Sequence, residues 1–128
     1  MTNSETETLA IHLVLRLELQ AGRQPVDVSR SGMPYDVSSP PRKIEVKAVG
    51  GSARGEAVPL EASQVAEALA DPEHYYVYVV DHLVDDEAPS VRVIHGDLLR
   101  RMIDRSAPRQ TYWPTFRVAE YDLAETMS

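Results

Sequence analysis

Six aromatic or β-branched residues in succession, Tyr75-Tyr76-Val77-Tyr78-Val79-Val80, make up the longest uncharged strand-like run of the chain. Such side chains favour strands, and an unbroken apolar run reads as a central strand, here residues 74–80, buried on both faces of its sheet. Its neighbours in the chain read as layers for that sheet. Leu9, Leu13 and Leu17, flanked by Ile11 and Val14, recur near helical spacing and predict a helix over 6–21. Ser4 and Glu7 form a capping box at its start, and Gly22 stops it. The alternation of Ile11, Leu13, Leu15, Leu17 and Leu19 keeps a strand over 9–19 open as a rival.

Short strands are expected over 25–30 and 35–38, and a strong one over 42–49. A glycine-rich turn (50–55) and an extended piece (56–60) lead to a helix over 61–70, which Asp71-Pro72 ends. Residues 90–94 form a hairpin with the central strand across the acidic turn Asp85-Asp86-Glu87. A helix over 97–105 turns Leu98, Leu99, Met102 and Ile103 inward. The aromatic tail, with Tyr112, Trp113 and Phe116, is expected to pack back on the body. The resulting order, α-β-β-β-α-β-β-α, implies a layered α/β domain around a mixed sheet.

At 128 residues the chain holds one domain with a single core. We place it at 9–118, after a disordered polar segment (1–8) and before an acidic tail (119–128). The absence of cysteine excludes disulfides, thiolate metal sites and cysteine catalysis. Residues 1–8 lack the basic region of a signal peptide. No apolar run approaches the roughly 20 residues of a membrane span, so a soluble cytoplasmic protein without membrane partners is expected.

The segment 42–49 carries the chemistry. Alternate side chains of a strand share a face, so Glu45 and Lys47 point one way and Ile44, Val46 and Ala48 point into the core. Asp36, nine positions before Glu45, can meet it after a turn through Ser38-Ser39-Pro40-Pro41. Two carboxylates followed by a lysine are what metal-dependent phosphodiester cleavage needs. The chain has eleven Arg but only two Lys, Lys43 and Lys47. An ammonium is a compact, tunable charge that a guanidinium fork does not replace.

Plainer readings stand beside these. Asp36 suits a turn, and Glu45 with Lys47 suits a solvent-facing pair. His12, on an apolar helix, reads as a core histidine or as a ligand. His74, His82 and His95 sit at strand ends facing solvent, with no His-x-x-x-His pair for zinc. The tyrosines of the central strand read as core and Trp113 as a packing anchor. Gly50-Gly51-Ser52 lacks the Lys-Ser/Thr of a phosphate loop.

The net charge of −7 opposes nucleic-acid binding, which favours excess positive charge. Its distribution is uneven. Residues 61–91 hold eight acids and no Lys or Arg, whereas 92–117 hold six Arg against two Asp. Arg100, Arg101 and Arg105, with Lys43, are the candidate phosphate contacts. A solvated face or a docking site for an acidic partner explains the arginines equally well. The acidic 81–87 and basic 100–109 stretches also suit a homodimer.

One family resemblance joins these features. Gly32-x-x-Tyr-Asp-Val37, Lys43-Ile-Glu-Val-Lys47, a glycine-rich turn, a helix containing Ser63-Gln64 and the Tyr75–Val80 run resemble the NO VEIN carboxy-terminal domain family over roughly residues 9–105. That family, a domain of unknown function, is itself similar to the PD-(D/E)XK nuclease-like superfamily. The resemblance implies a restriction-endonuclease-like α-β-β-β-α-β core, a mixed sheet flanked by helices. It implies that Asp36, Glu45 and the carbonyl of Val46 bind Mg²⁺ or Mn²⁺, as hard oxygen ligands do. Lys47 then orients the attacking water or stabilises charge in the transition state. His12 stands where many members carry a glutamate, which adds it to the metal set, and Gln64 stands where relatives often have an acid. Both departures lower the negative charge of the site. The expectation is a metal-dependent endonuclease-like domain acting on DNA in restriction or genome defence, as a dimer or within a larger defence complex. The alternative is a degenerate, non-catalytic nucleic-acid- or protein-binding module of the same fold.

Overall fold

The computed structural model describes residues 2–85 and 87–127. Asp86 of the acidic turn, and the terminal residues of the expected N-terminal segment and acidic tail, lie outside them. In chain order the elements are α1 (Asn3–Gln20), β1 (Val26–Asp27), β2 (Val37–Ser39), β3 (Arg42–Ala48), α2 (Ala62–Ala70), β4 (Tyr75–Asp81), β5 (Ser90–His95), α3 (Gly96–Arg105) and α4 (Val118–Leu123). The strands form one sheet in the order β1-β2-β3-β4-β5. Only β3 and β4 run parallel, joined by the crossover through α2 that a parallel pair requires. The domain is therefore mixed α/β.

The central run is covered on both faces, as its composition demands. Ile44, Val46, Tyr78 and Val80 pack against Ala10 and Val14 of α1. Tyr75, Val77 and Val79 point the other way, to Ala68 of α2 and Leu99 of α3. The helical reading of residues 9–19 wins over the alternating one, because Ala10, Val14 and Glu18 form a buried i, i+4 line. Glu18 is buried but fully paired: Arg23 donates to both its carboxylate oxygens at 2.5 and 2.8 Å, and the Tyr78 hydroxyl donates at 3.0 Å. Burial pushes its carboxyl up, and these bonds outweigh burial and hold it below the usual range. A Schellman turn ends α1, with Gly22 N–H bonded to Leu19 and Arg23 N–H to Glu18. Gly22 takes the left-handed backbone this needs, at φ +87°.

Several expectations are corrected. The disorder expected over 1–8 is replaced from Asn3 onward by helix. The capping pattern occurs twice in register, and Thr2 with Glu5, not Ser4 with Glu7, forms the box. Leu98 is exposed, because the inward face of α3 is Leu99, Met102 and Ile103 at i, i+3 and i+4. The tail does not pack on the body: every described residue from Ser106 onward is exposed, with Tyr112, Trp113 and Phe116 at 81, 86 and 70 %. Its start is extended at Ser106, Pro108 and Pro114 disfavour helix, and α2 and α3 already cover that face of the sheet. Within the expected acidic tail, Val118–Leu123 forms the short helix α4. The strand-end histidines make specific contacts: His95 stacks on Tyr76 with ring centroids 3.8 Å apart, His74 bonds Asp71 at 2.8 Å and His82 bonds Asp85 at 2.6 Å.

Candidate metal-binding cleft

The odd-numbered side of β3 carries Glu45 and Lys47 toward α2, so neither is a solvent-facing surface residue. Glu45 is 4 % exposed, and Lys47 Nζ lies 3.1 Å from its Oε2. The same ammonium donates to Gln64 Oε1 at 3.4 Å. Gln64 Oε1 also accepts the Glu61 N–H at 2.9 Å, closing the capping box of α2. Gln64 thus holds the helix start and Lys47 with one oxygen, where an acid would have added charge.

Asp36 reaches the pair from the entrance to β2. Its N–H bonds Ile44 C=O at 2.9 Å, its C=O accepts from Val28 N–H at 2.8 Å, and its Oδ2 accepts from Val46 N–H at 2.9 Å. Odd-numbered backbone groups of β3 face β4, as Lys43 N–H to His74 C=O shows, and even-numbered ones face β2. The carbonyl of Val46 therefore opens on the edge that the Asp36 carboxylate occupies. The approach to Asp36 is pinned from below by Tyr75, fully buried, whose hydroxyl donates to the Pro34 carbonyl at 2.7 Å. The sequence run marked Tyr75 only as core.

Glu45 registers this crowding. Burial first, and then the Asp36 charge, push its carboxyl up from 4.5 to about 7, against the opposing pull of Lys47. A buried carboxyl pushed up beside a second carboxylate, with a main-chain carbonyl next to them, suits a hard divalent ion. Mg²⁺ in particular is commonly held by one or two carboxylates, waters and substrate phosphate. Among the described residues no three His, Asp or Glu side chains stand together as a metal-holding group. His12, exposed on α1, lines the same cleft of about 1210 Å³ but does not join Asp36 and Glu45 as a third side-chain ligand. Its position three turns into α1 sets it at the rim, as the i+4 line of Ala10, Val14 and Glu18 takes the sheet-facing positions.

Asp36, Glu45, Val46, Lys47 and Gln64 are all brought into this cleft. The proposed nucleic-acid contacts are not. Lys43 is cross-linked to α2 by Glu67 at 2.7 Å and Asp71 at 3.0 Å, which together hold its ammonium well above its ordinary range. Arg100, Arg101 and Arg105 lie on exposed positions of α3, away from the cleft lining, and Arg100 is paired with Asp104 at 3.2 Å. The arginine that does line the cleft is Arg30. It sits just after a turn in which Asp27 caps Ser29, with Ser29 N–H donating to Asp27 Oδ1 at 2.9 Å. An Asp-x-Ser turn was the available signal for it. Six carboxylates line the cleft against two fixed cations, Arg30 and Lys47.

The chain matches the family described as Protein NO VEIN, C-terminal, over residues 6–94. It belongs to that family. The match runs from within α1 to one residue short of the end of β5, so the NO VEIN C-terminal unit contains all six carboxylates and both cations of the cleft. Helix α3, its arginines and the tail lie beyond it. No curated protein and no solved structure matches the chain. No helix among the described residues is long and apolar enough to cross a membrane.

Proposed function

We propose that this cleft is the centre of a metal-dependent phosphodiester hydrolase acting on nucleic acid, with DNA the first substrate to try, built on a PD-(D/E)XK-like core. The observation that carries the reading is the meeting of Asp36 with a buried Glu45 whose proton affinity is raised to about 7, with Lys47 3.1 Å away. The order α1-β1-β2-β3-α2-β4 supports it as a restriction-endonuclease-like core. Asp36, Glu45 and the Val46 carbonyl would hold Mg²⁺ or Mn²⁺, and the bound ion would supply water activation and charge neutralisation at the phosphate. Lys47, kept at the cleft by Glu45 and Gln64, donates to the attacking water or to a phosphate oxygen. A role in restriction or genome defence, as a dimer or in a larger complex, fits such a module.

Calorimetric titration of Mn²⁺ tests the acid pair directly. One site that disappears in Asp36→Ala is expected, followed by metal-dependent cleavage that Lys47→Ala abolishes. Cleavage that survives both substitutions unchanged refutes the proposal. A second reading has its own support in the acid excess of the cleft and the lack of a third side-chain ligand. It is a non-catalytic binding module that keeps the fold, and an absence of Mn²⁺ binding at millimolar metal selects it.

A further inference from the structure

We propose that two copies of this chain associate by exchanging their C-terminal tails, each tail lying in a trough on the α1 face of the other copy's sheet. The donor is the segment 106–127. Its large apolar side chains are exposed, Tyr112, Trp113, Phe116, Tyr121 and Leu123 among them at 68–86 %. It also lies outside the matched family unit. Side chains of this size left in water are an association surface.

The acceptor follows from where α1 sits. The helix crosses β3 and touches β1 and β2. Its Ile11 flank faces the acid cleft, so the ridge Leu9, Leu13 and Leu17 lies on the opposite flank, toward β4 and β5. There the sheet is thinly covered. Val93 is 48 % exposed, Leu9 is 43 % exposed, and Val91 and Tyr76 are half-buried. The result is a shallow trough between the helix and the edge strand, apolar at Leu9, Val91 and Val93 and bounded by Tyr76 with Arg42 and His95 packed on its ring.

Area selects a second copy as the occupant. Aromatic side chains bury 150–250 Å² each, so four of them cover about 600–1000 Å² per tail. Two reciprocal tails then reach the roughly 1,200–2,000 Å² of a specific interface. A tail reaching its own trough has to round the β5 edge, because α3 packs on the other face of the sheet. In the structure it makes no such turn.

Trp113 is the chain's single tryptophan, which gives the test a local probe. Sedimentation and tryptophan emission are measured on the full chain from low to high micromolar concentration. A dimer is expected whose assembly shifts Trp113 emission to the blue. Trp113→Ser and Val93→Asp should each give a monomer that melts with dilute, monomeric wild type, and mixing the two should restore a dimer through the one intact tail–trough pair. If Val93→Asp melts early, Leu9→Glu takes its place. A wild-type monomer at every concentration overturns the proposal. So does a dimer that persists in Trp113→Ser, or a concentration-independent blue emission from a tail docked on its own body.

Discussion

Replacing Glu45 by Gln should stabilise the metal-free protein at pH 8 and leave it unchanged near pH 4.5. The Glu45 carboxyl is pushed up from 4.5 to about 7 in the fold, so between these values the folded chain binds a proton that the unfolded chain has released. Stability is then fully present below pH 4.5 and is lost as pH rises through 7. At 1.36 kcal/mol per unit, the loss is about 3 kcal/mol for a group that is 4 % exposed. Glutamine has the shape of glutamate and no charge to desolvate, but it gives up the Lys47 contact at 3.1 Å. A net gain of about 2 kcal/mol at pH 8 remains, or about 6–8 °C in Tm for a chain of this length.

The assay is a series of thermal melts in EDTA at pH 4.5, 6, 7 and 8 for both proteins. The wild-type curve should fall across pH 4.5–7 and level off, while the glutamine variant should lack that component. Adding Mn²⁺ at pH 8 should then reverse the ranking. Saturation at 100 times Kd contributes about 2.7 kcal/mol to a protein that binds the ion, and the variant has lost a ligand. A variant that melts at or below wild type at pH 8 without metal refutes the claim that Asp36 and burial strain this carboxylate. Equal responses to Mn²⁺ would leave the strain but remove the metal.

Three further outcomes are expected. Tyr75→Phe removes the hydroxyl that donates to Pro34 and should cost about 1–2 kcal/mol, with weaker Mn²⁺ binding in calorimetry because Asp36 loses its support. Glu18→Ala strips the buried partner of Arg23 and Tyr78; denaturant melts should show a loss of about 3 kcal/mol, with Mn²⁺ affinity retained. Gly50→Ala sets a Cβ 2.8 Å from Val84 Cγ2, and a loss of about 1 kcal/mol in thermal melts is expected as the Val84 loop moves aside.

The elements were legible in the sequence because their signals are local. The Tyr75–Val80 run, the Gly22 stop and the alternation around Glu45 each report on a few neighbouring residues, and every element except α4 lies within about three residues of its expected place. The pairing of Asp36 with Glu45 was legible too, since only a short hairpin turn separates them. What is not legible depends on distant packing. Lys43 and Lys47 share a face of β3, and nothing local says that Glu67 and Asp71 engage the first while the second stays at the cleft. The basic stretch of α3 is a candidate nucleic-acid face by count, and only the position of the helix over the sheet shows that its charges lie apart from the cleft. Arg30 was missed for the opposite reason: it has no pattern of its own and reaches the cleft only because β1 pairs with β2. The tail was read as core from its aromatic content alone, and composition carries no information on whether a surface remains for those rings to cover.

The acid cleft is a place where the fold holds an arrangement that its local energetics resist. Glu45 occupies a position on β3 where an apolar residue would satisfy the α2-facing core, since its neighbours across the register, Val77 on β4 and beyond it Ile94 on β5, are both buried and apolar. Asp36 adds a second charge where its own side chain already serves the Val46 N–H. Such an arrangement persists only when its surroundings over-determine it. The surroundings here do so on each side: Tyr75 fixes Pro34, Lys43 ties β3 to Glu67 and Asp71, and Gln64 holds Lys47 from the capping box of α2. None of these clamps is needed to cover apolar surface. Their common effect is to keep two carboxylates and one ammonium converging on an open cleft with four more acids on its walls. If the proposed reading holds, this field would repel a polyanionic substrate until a divalent cation had been taken up, and the acidity of the cleft would set an order, cation first and phosphate second.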